Sequence, residues 1–235
     1  MFAKLYSLLA SLGLGIWLMA GVILLLAIGS FSSGGAEASS INDMALFSWL
    51  MEAPLAYSWW LWLAVGLLAI LAVNTLLCSI DSLRNKRQRK NFISLIAPQI
   101  MHAGFLFIVL AHLFSAYGGL KGVMQVNKGE AIGFPDGNAV TIGNINGDIG
   151  PMGMLTGYSA EIFDNKENSS KIAEISPNHP FFYKGFGLYL KDAQLYPQQT
   201  ALVEIHREPG AGLALVGGLL FTVGNVVLLA ARRKR

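Results

Sequence analysis

Two imidazoles lie ten residues apart in an apolar run, His102 and His112 within Ser94–Tyr117, SLIAPQIMHAGFLFIVLAHLFSAY. Neutral imidazole ligates metals and haem iron through a ring nitrogen. An ionisable side chain inside a segment of membrane-spanning length is by default a functional-site candidate, since a charge there costs about 2.5–3.5 kcal/mol on insertion scales. Ten residues of helix separate the pair by about 15 Å along the axis and about 80° around it. One straight helix therefore cannot bring both to a single metal or haem iron, and any ligation by either takes its partner group from elsewhere. At this point His102 has two readings, polar helix packing and ligation. Ala103 and Gly104 leave the surface beside it low enough for a close-packed helix or a flat ligand. His112, nearer the far end of the run, reads as a polar residue at the interface.

The remaining chemistry-bearing residues are sparse. Cys78 is the single cysteine, so no disulfide forms within the chain, and it reads as a small buried residue rather than a redox centre. His179 and His206 have no cysteine or second histidine at ligand spacing, so metal binding by them is not expected. No nucleophile elbow, HExxH or GxxxxGK[ST] pattern occurs, which argues against hydrolysis and ATP turnover. Trp59, Trp60 and Trp62 fit an interfacial aromatic belt better than a tryptophan-rich haem motif. Asn74 fits an interhelical hydrogen-bonding residue better than a ligand.

The elements that hold these residues follow from composition. Hydrophobic residues make up 54% of the chain and charged residues 13%, outside the range of ordinary soluble domains. Crossing about 30 Å of hydrocarbon takes about 20 apolar residues, and four windows suffice: 8–28, 58–80, 93–117 and 211–231. The first resembles a secretory signal, with Lys4 ahead of it and Ala36-Glu37-Ala38 behind it. Its apolar run of about 22 residues exceeds the 7–15 of a signal, so an uncleaved span is expected. The expected organisation is membrane helices 1–3 over residues 1–117, with a short outer loop at 29–57 and a basic link at 81–92. A β-rich domain follows over 118–210, then a fourth helix with a basic tail over 211–235. Ile41-Asn42-Asp43 is expected to cap a short amphipathic helix through Trp49 and Met51.

Charge orients the spans. Lys4, the run Arg84, Lys86, Arg87, Arg89 and Lys90, and the tail Arg232–Arg235 fall on one side of a four-span chain, while thirteen of the fourteen acidic residues fall on the other. Basic residues near spans stay in the cytoplasm. Both termini are therefore expected in the cytoplasm, and the β-rich domain outside, in an inner or plasma membrane. The net charge of +3 hides this segregation, and nucleic-acid binding is not supported. In the outer segment, short apolar runs such as Gly122–Val126, Ala139–Ile145, Met154–Phe163 and Leu188–Asp192 are separated by turn-forming groups at 135–138, 144–148, 165–168 and 176–178. Such spacing predicts an antiparallel β domain. The fold class is thus a membrane protein of four transmembrane α-helices: three, an extracytoplasmic antiparallel β-rich domain, then one.

This order of parts resembles the ResB (CcsB) family of System II cytochrome c biogenesis proteins. The segment Ser176-Pro177-Asn178-His179-Pro180-Phe181-Phe182-Tyr183-Lys184-Gly185-Phe186-Gly187-Leu188-Tyr189 is similar to the family's NHP…YKG…Y signature. Asn74–Ser79, NTLLCS, and His102-Ala103-Gly104 are further matches. The resemblance implies a non-catalytic subunit that pairs with a ResC (CcsA) membrane partner and moves haem b, transported rather than permanently bound, to apocytochrome c. It implies His102 as an axial haem ligand with the second ligand supplied by the partner. The tryptophan-rich WWD segment belongs to that partner and is absent here. Asn178, His179, Pro180, Tyr183 and Gly185 are a structural corner in one reading and a contact for apocytochrome c in another. The alternative function is a scaffold whose outer domain binds apocytochrome c or a thioredoxin-like reductant without touching haem.

Overall fold

The computed structural model describes residues 2–32, 41, 44–85, 92–151, 155–164 and 170–233. Residues 2–118 and 209–233 belong to a helical unit, and residues 119–208 to a β unit.

The helices are α1 (Phe2–Leu9), α2 (Leu12–Ser32), α3 (Leu46–Glu52), α4 (Leu55–Asn85), α5 (Phe92–Gly118) and α6 (Ala211–Arg233). Four of them are long and apolar enough to cross a membrane, over Leu12–Phe31, Leu55–Arg84, Leu95–Gly118 and Ala211–Ala231. The chain is a multi-pass membrane protein, with three such helices before the β unit and one after it.

The first apolar window is not one helix. α1 ends at Leu9, and the Ser11 hydroxyl accepts a hydrogen bond from Leu14 N–H at 3.1 Å, capping α2. A break in apolar surroundings leaves carbonyls that lipid cannot satisfy. The Asn74 amide supplies them: its Nδ2 donates to Leu9 O at 2.6 Å and to Ser11 O at 3.0 Å, while Cys78 Sγ lies 2.9 Å from Ala10 O. Asn74 and Cys78 are one turn apart on α4, so one face of that helix closes the break. The N-cap of α3 is Ala45, which has no side-chain cap bond; the cap expected at Asn42-Asp43 lies outside the described residues. α3 buries Trp49 and Leu50 against Trp60 and Leu61.

The β unit is a sandwich of two antiparallel four-stranded sheets. β1 (Leu120–Asn127), β8 (Thr200–Arg207), β7 (Phe186–Gln194) and β6 (Phe181–Tyr183) form one, in that order. β2 (Ala131–Gly133), β3 (Ala139–Ile149), β4 (Leu155–Asp164) and β5 (Lys171–Ile175) form the other. Alternation sends Val140, Ile142, Ile162, Ile175, Leu188, Val203 and Ile205 into a shared core. The turn expected at 144–148 is instead a bulged strand. Ile142 faces Ile162 and Ile145 faces Ala160, so β3 carries one extra residue there. Burial of Ile145 and the bond from Asn144 Nδ2 to Glu161 Oε2 at 2.9 Å hold it extended despite its turn-forming composition. The group at 135–138 does form a turn, joining β2 to β3. That at 165–168 lies outside the described residues.

Candidate functional site

α5 is placed by its packing against α6. Ala97, Gly104 and Ala111 recur every seven residues on α5 and meet Gly224, Gly217 and Gly210, also seven apart, in antiparallel order. A Cβ on Gly104 would stand 2.7 Å from Gly217 O and 2.5 Å from Phe221 N, and one on Gly217 would stand 2.8 Å from Gly104 O. The backbones are therefore in direct contact, which only glycine permits. The low surface at Gly104 thus receives a helix. His102 is about 200° around α5 from Gly104, on the side away from this seam.

On that side His102 meets α4. Its Nδ1 lies 2.8 Å from Ser79 Oγ, and Ser79 Oγ lies 2.9 Å from Thr75 O one turn back on α4. Thr75 Oγ1 in turn donates to Leu71 O at 2.8 Å. The imidazole is half-buried, and among the described residues its Nε2 has no hydrogen-bond partner. Gln99, three residues earlier on the same side of α5, has a buried Oε1 that is also without a partner. Pro98 sits inside α5, so the carbonyl one turn back lacks its helical donor.

His112 is exposed on α5, remote from the Ser79 contact. Asn74 and Cys78 face the α1–α2 break, on a different side of α4 from Ser79. Of the tryptophans, Trp60 is buried against Gly29, whereas Trp59 and Trp62 remain partly exposed. The helical unit thus brings together His102, Ser79 and Thr75, and leaves out His112, Cys78 and the tryptophans. Ser79 and Gln99 were not singled out for chemistry in the sequence, although polar side chains in an apolar helix, with Thr75 one turn from Ser79, were a readable signal.

In the β unit, the NHP…YKG segment forms two consecutive turns. Ser176 and His179 are bridged by reciprocal backbone hydrogen bonds at 3.3 and 3.0 Å, with Pro177 and Asn178 between them and Asn178 at φ +66°. Proline followed by a residue of positive φ is the pattern of a type II turn. Pro180 leads into β6. Tyr183 pairs with Phe186 across Lys184 and Gly185, whose φ of +48° and +87° suit a type I′ hairpin and favour glycine at the second position. Tyr183 packs 5.8 Å from Phe134, and its hydroxyl lies 3.4 Å from Asp164 Oδ2. Asn178 and His179 are exposed. Beside this corner, Tyr158, Pro177, Pro180, Tyr189 and Lys191 line a groove of about 450 Å³.

A second polar group stands on the opposite face of β8 from the core. Glu204, nearly buried, receives Lys191 Nζ at 2.7 Å, Lys121 Nζ at 3.1 Å and His206 Nε2 at 2.5 Å. Hydrogen bonds from Lys191 and His206 hold its carboxyl down at about 2. Tyr189 packs on His206, with ring centroids 5.2 Å apart. The sequence gives no hint of this cluster, because its members come from three strands. Among the described residues no three His, Cys, Asp or Glu side chains group as a metal site.

No protein-family model matches the chain, and no curated protein matches it. Among solved structures, a chain described as "Cytochrome c Heme Lyase CcmF" is similar, with a TM-score of 0.47 and 14% identity over 90% of this chain and 34% of that one. This chain therefore spans about a third of that protein's length.

Proposed function

We propose that this chain is a non-catalytic, ResB-like subunit of a cytochrome c assembly complex, which helps move haem across the membrane to apocytochrome c with a ResC/CcsA-type partner. The observation that carries this reading is His102. It is an imidazole within a membrane-spanning helix, anchored at one ring nitrogen by Ser79 and, among the described residues, unpartnered at the other. A neutral ring with one fixed and one free nitrogen is the donor type that takes an axial position on haem iron. The seam with α6 lies on the far side of α5 and α4 covers Nδ1, so a partner helix bringing the second axial group would approach beside α4, over the Nε2 edge of the half-buried ring. The family-like order of motifs supports the same reading. The basic residues at Arg84 and beyond, and at the chain's end, support cytoplasmic termini, with haem entering from that side.

The test is the Soret absorbance of the protein copurified with its partner. His102→Ala should lower haem content, and added imidazole should restore part of it. Unchanged haem content and no imidazole response would refute the ligand role.

A second reading, the scaffold, draws on the exposed corner at Asn178 and His179 and the groove beside it. A photocrosslinker at His179 should then capture an apocytochrome c peptide, and a His102→Ala strain should keep its cytochromes.

A further inference from the structure

We infer that Ser79 is a positioning residue that fixes His102 as the tautomer protonated on Nδ1, and thereby presents Nε2 as the lone-pair nitrogen. The use of Nε2 as a ligand rests on the haem reading above; the tautomer itself does not. The argument is a count of protons. A serine hydroxyl has one hydrogen to donate and two lone pairs to accept with. Ser79 Oγ is within bonding distance of two groups, Thr75 O at 2.9 Å and His102 Nδ1 at 2.8 Å. A backbone carbonyl only accepts, so the hydroxyl hydrogen goes to Thr75 O. Both bonds form together only if Nδ1 carries a hydrogen and donates it to Ser79 Oγ. A neutral ring has one N–H, and Nε2 is then bare.

The alternative tautomer breaks the arrangement. With the hydrogen on Nε2, Nδ1 is an acceptor, and Ser79 must turn its hydrogen away from Thr75 O toward the ring. One bond is lost, and an N–H points into a region where no described polar group receives it. In an apolar span such an orphaned donor is costly.

The orientation is fixed as well as the proton. Ser79 is tied to the α4 backbone through Thr75 O, so the imidazole of α5 is referenced to a second helix. Second-shell hydrogen bonds of this kind set the tautomer and ring plane of ligating histidines, and losing one typically weakens metal affinity about 10–100-fold.

The experiment uses the full-length chain in lipid nanodiscs with isotope-labelled histidine nitrogens. Four histidines give a resolvable set, and His102→Gln assigns the signal. Wild-type His102 should show the Nδ1–H tautomer. Ser79→Ala should convert it to Nε2–H or a mixture, and Ser79→Thr, which restores a hydroxyl, should return it. Unchanged helical circular dichroism shows that each variant is folded. Titration with ferric haem should then show about 10–100-fold weaker binding in Ser79→Ala and near-normal binding in Ser79→Thr. A wild-type ring protonated at Nε2, or an Nδ1–H ring that persists in Ser79→Ala, overturns the inference. The two claims fail separately. A Ser79-dependent Nδ1–H ring, with haem binding unaltered in His102→Gln, refutes haem ligation while the positioning of the ring by Ser79 stands.

Discussion

Replacing Glu204 by glutamine keeps the side chain's shape and removes its charge. The carboxylate has a side-chain exposure of 6%, and it joins β8 to β1 through Lys121 and to β7 through Lys191. Its pKa of about 2, against an ordinary 4.5, corresponds to about 3 kcal/mol of preference for the charged form. That figure is an upper bound. The lysines are 41% and 54% exposed, so water screens their attraction, and a net contribution of about 1–2 kcal/mol is the working magnitude. The sign follows from linkage. A carboxyl whose pKa is lower in the folded state stabilises fully above its unfolded value, and that stabilisation is lost as the pH falls from about 4.5 through about 2. Glu204→Gln should therefore destabilise the β unit by about 1–2 kcal/mol at neutral pH and flatten the pH dependence below 4.5. Hydrogen exchange of β1, β7 and β8, measured by mass spectrometry on the full chain and corrected for intrinsic rates, reads both. Lys191→Ala should cost more than Lys121→Ala, because Lys191 makes the shorter contact. Equal protection in wild type and Glu204→Gln at neutral pH, with parallel profiles down to pH 2, would refute the assignment.

The helical unit offers two further tests. Gly217→Ala should destabilise by about 1–3 kcal/mol, since its Cβ meets backbone that cannot yield, whereas Gly218→Ala, with nothing within 4 Å, should be neutral; thermal loss of helical circular dichroism separates them. Asn74→Leu should cost about 1–2 kcal/mol and speed hydrogen exchange at residues 10–15, because the carbonyls of Leu9 and Ser11 lose their donor.

The spans were legible because hydropathy sums over many residues, and the β domain because its turn groups recur at strand spacing. What escaped were features set by a partner distant in sequence. The break after Leu9 is invisible to hydropathy, since Ser11 is one polar residue in an apolar run and its compensation comes from Asn74. The 144–148 stretch has turn composition, yet Ile145 is drawn into the core and the strand bulges around it. His102 stood out as an imidazole in a span. Its contact did not, because counting from the helix ends puts Ser79 about 9 Å from the end of α4 and His102 about 15 Å from the start of α5. Those heights match only once both helices are placed. The Glu204 cluster draws on three strands and has no local signature.

The two helix pairs close differently, and both bear on what His102 can face. In α5–α6 the opposed positions are Ala97 with Gly224, Gly104 with Gly217 and Ala111 with Gly210, so each step of seven on one helix is matched by seven on the other. In α2–α4, Gly15, Gly21 and Gly29, six and eight residues apart, meet the side chains of Asn74, Leu67 and Trp60, which are seven apart on α4. A seven-residue repeat drifts by only about 20° per step on a straight helix, so the α5–α6 seam, and the α4 side of the α2–α4 contact, each stay on one face. Backbone contact along such a seam leaves α5 little freedom to rotate. With Gly104 held against Gly217, a residue about 200° away is turned from α6, and His102 is that residue. α4 is held instead through its side chains. Asn74 and Cys78 are committed to the α1–α2 break, and Ser79, about 140° around from Asn74, is left to meet the imidazole. The glycine seams and the histidine contact are therefore one construction, in which small residues touching no ligand decide where the single anchored imidazole of the span points.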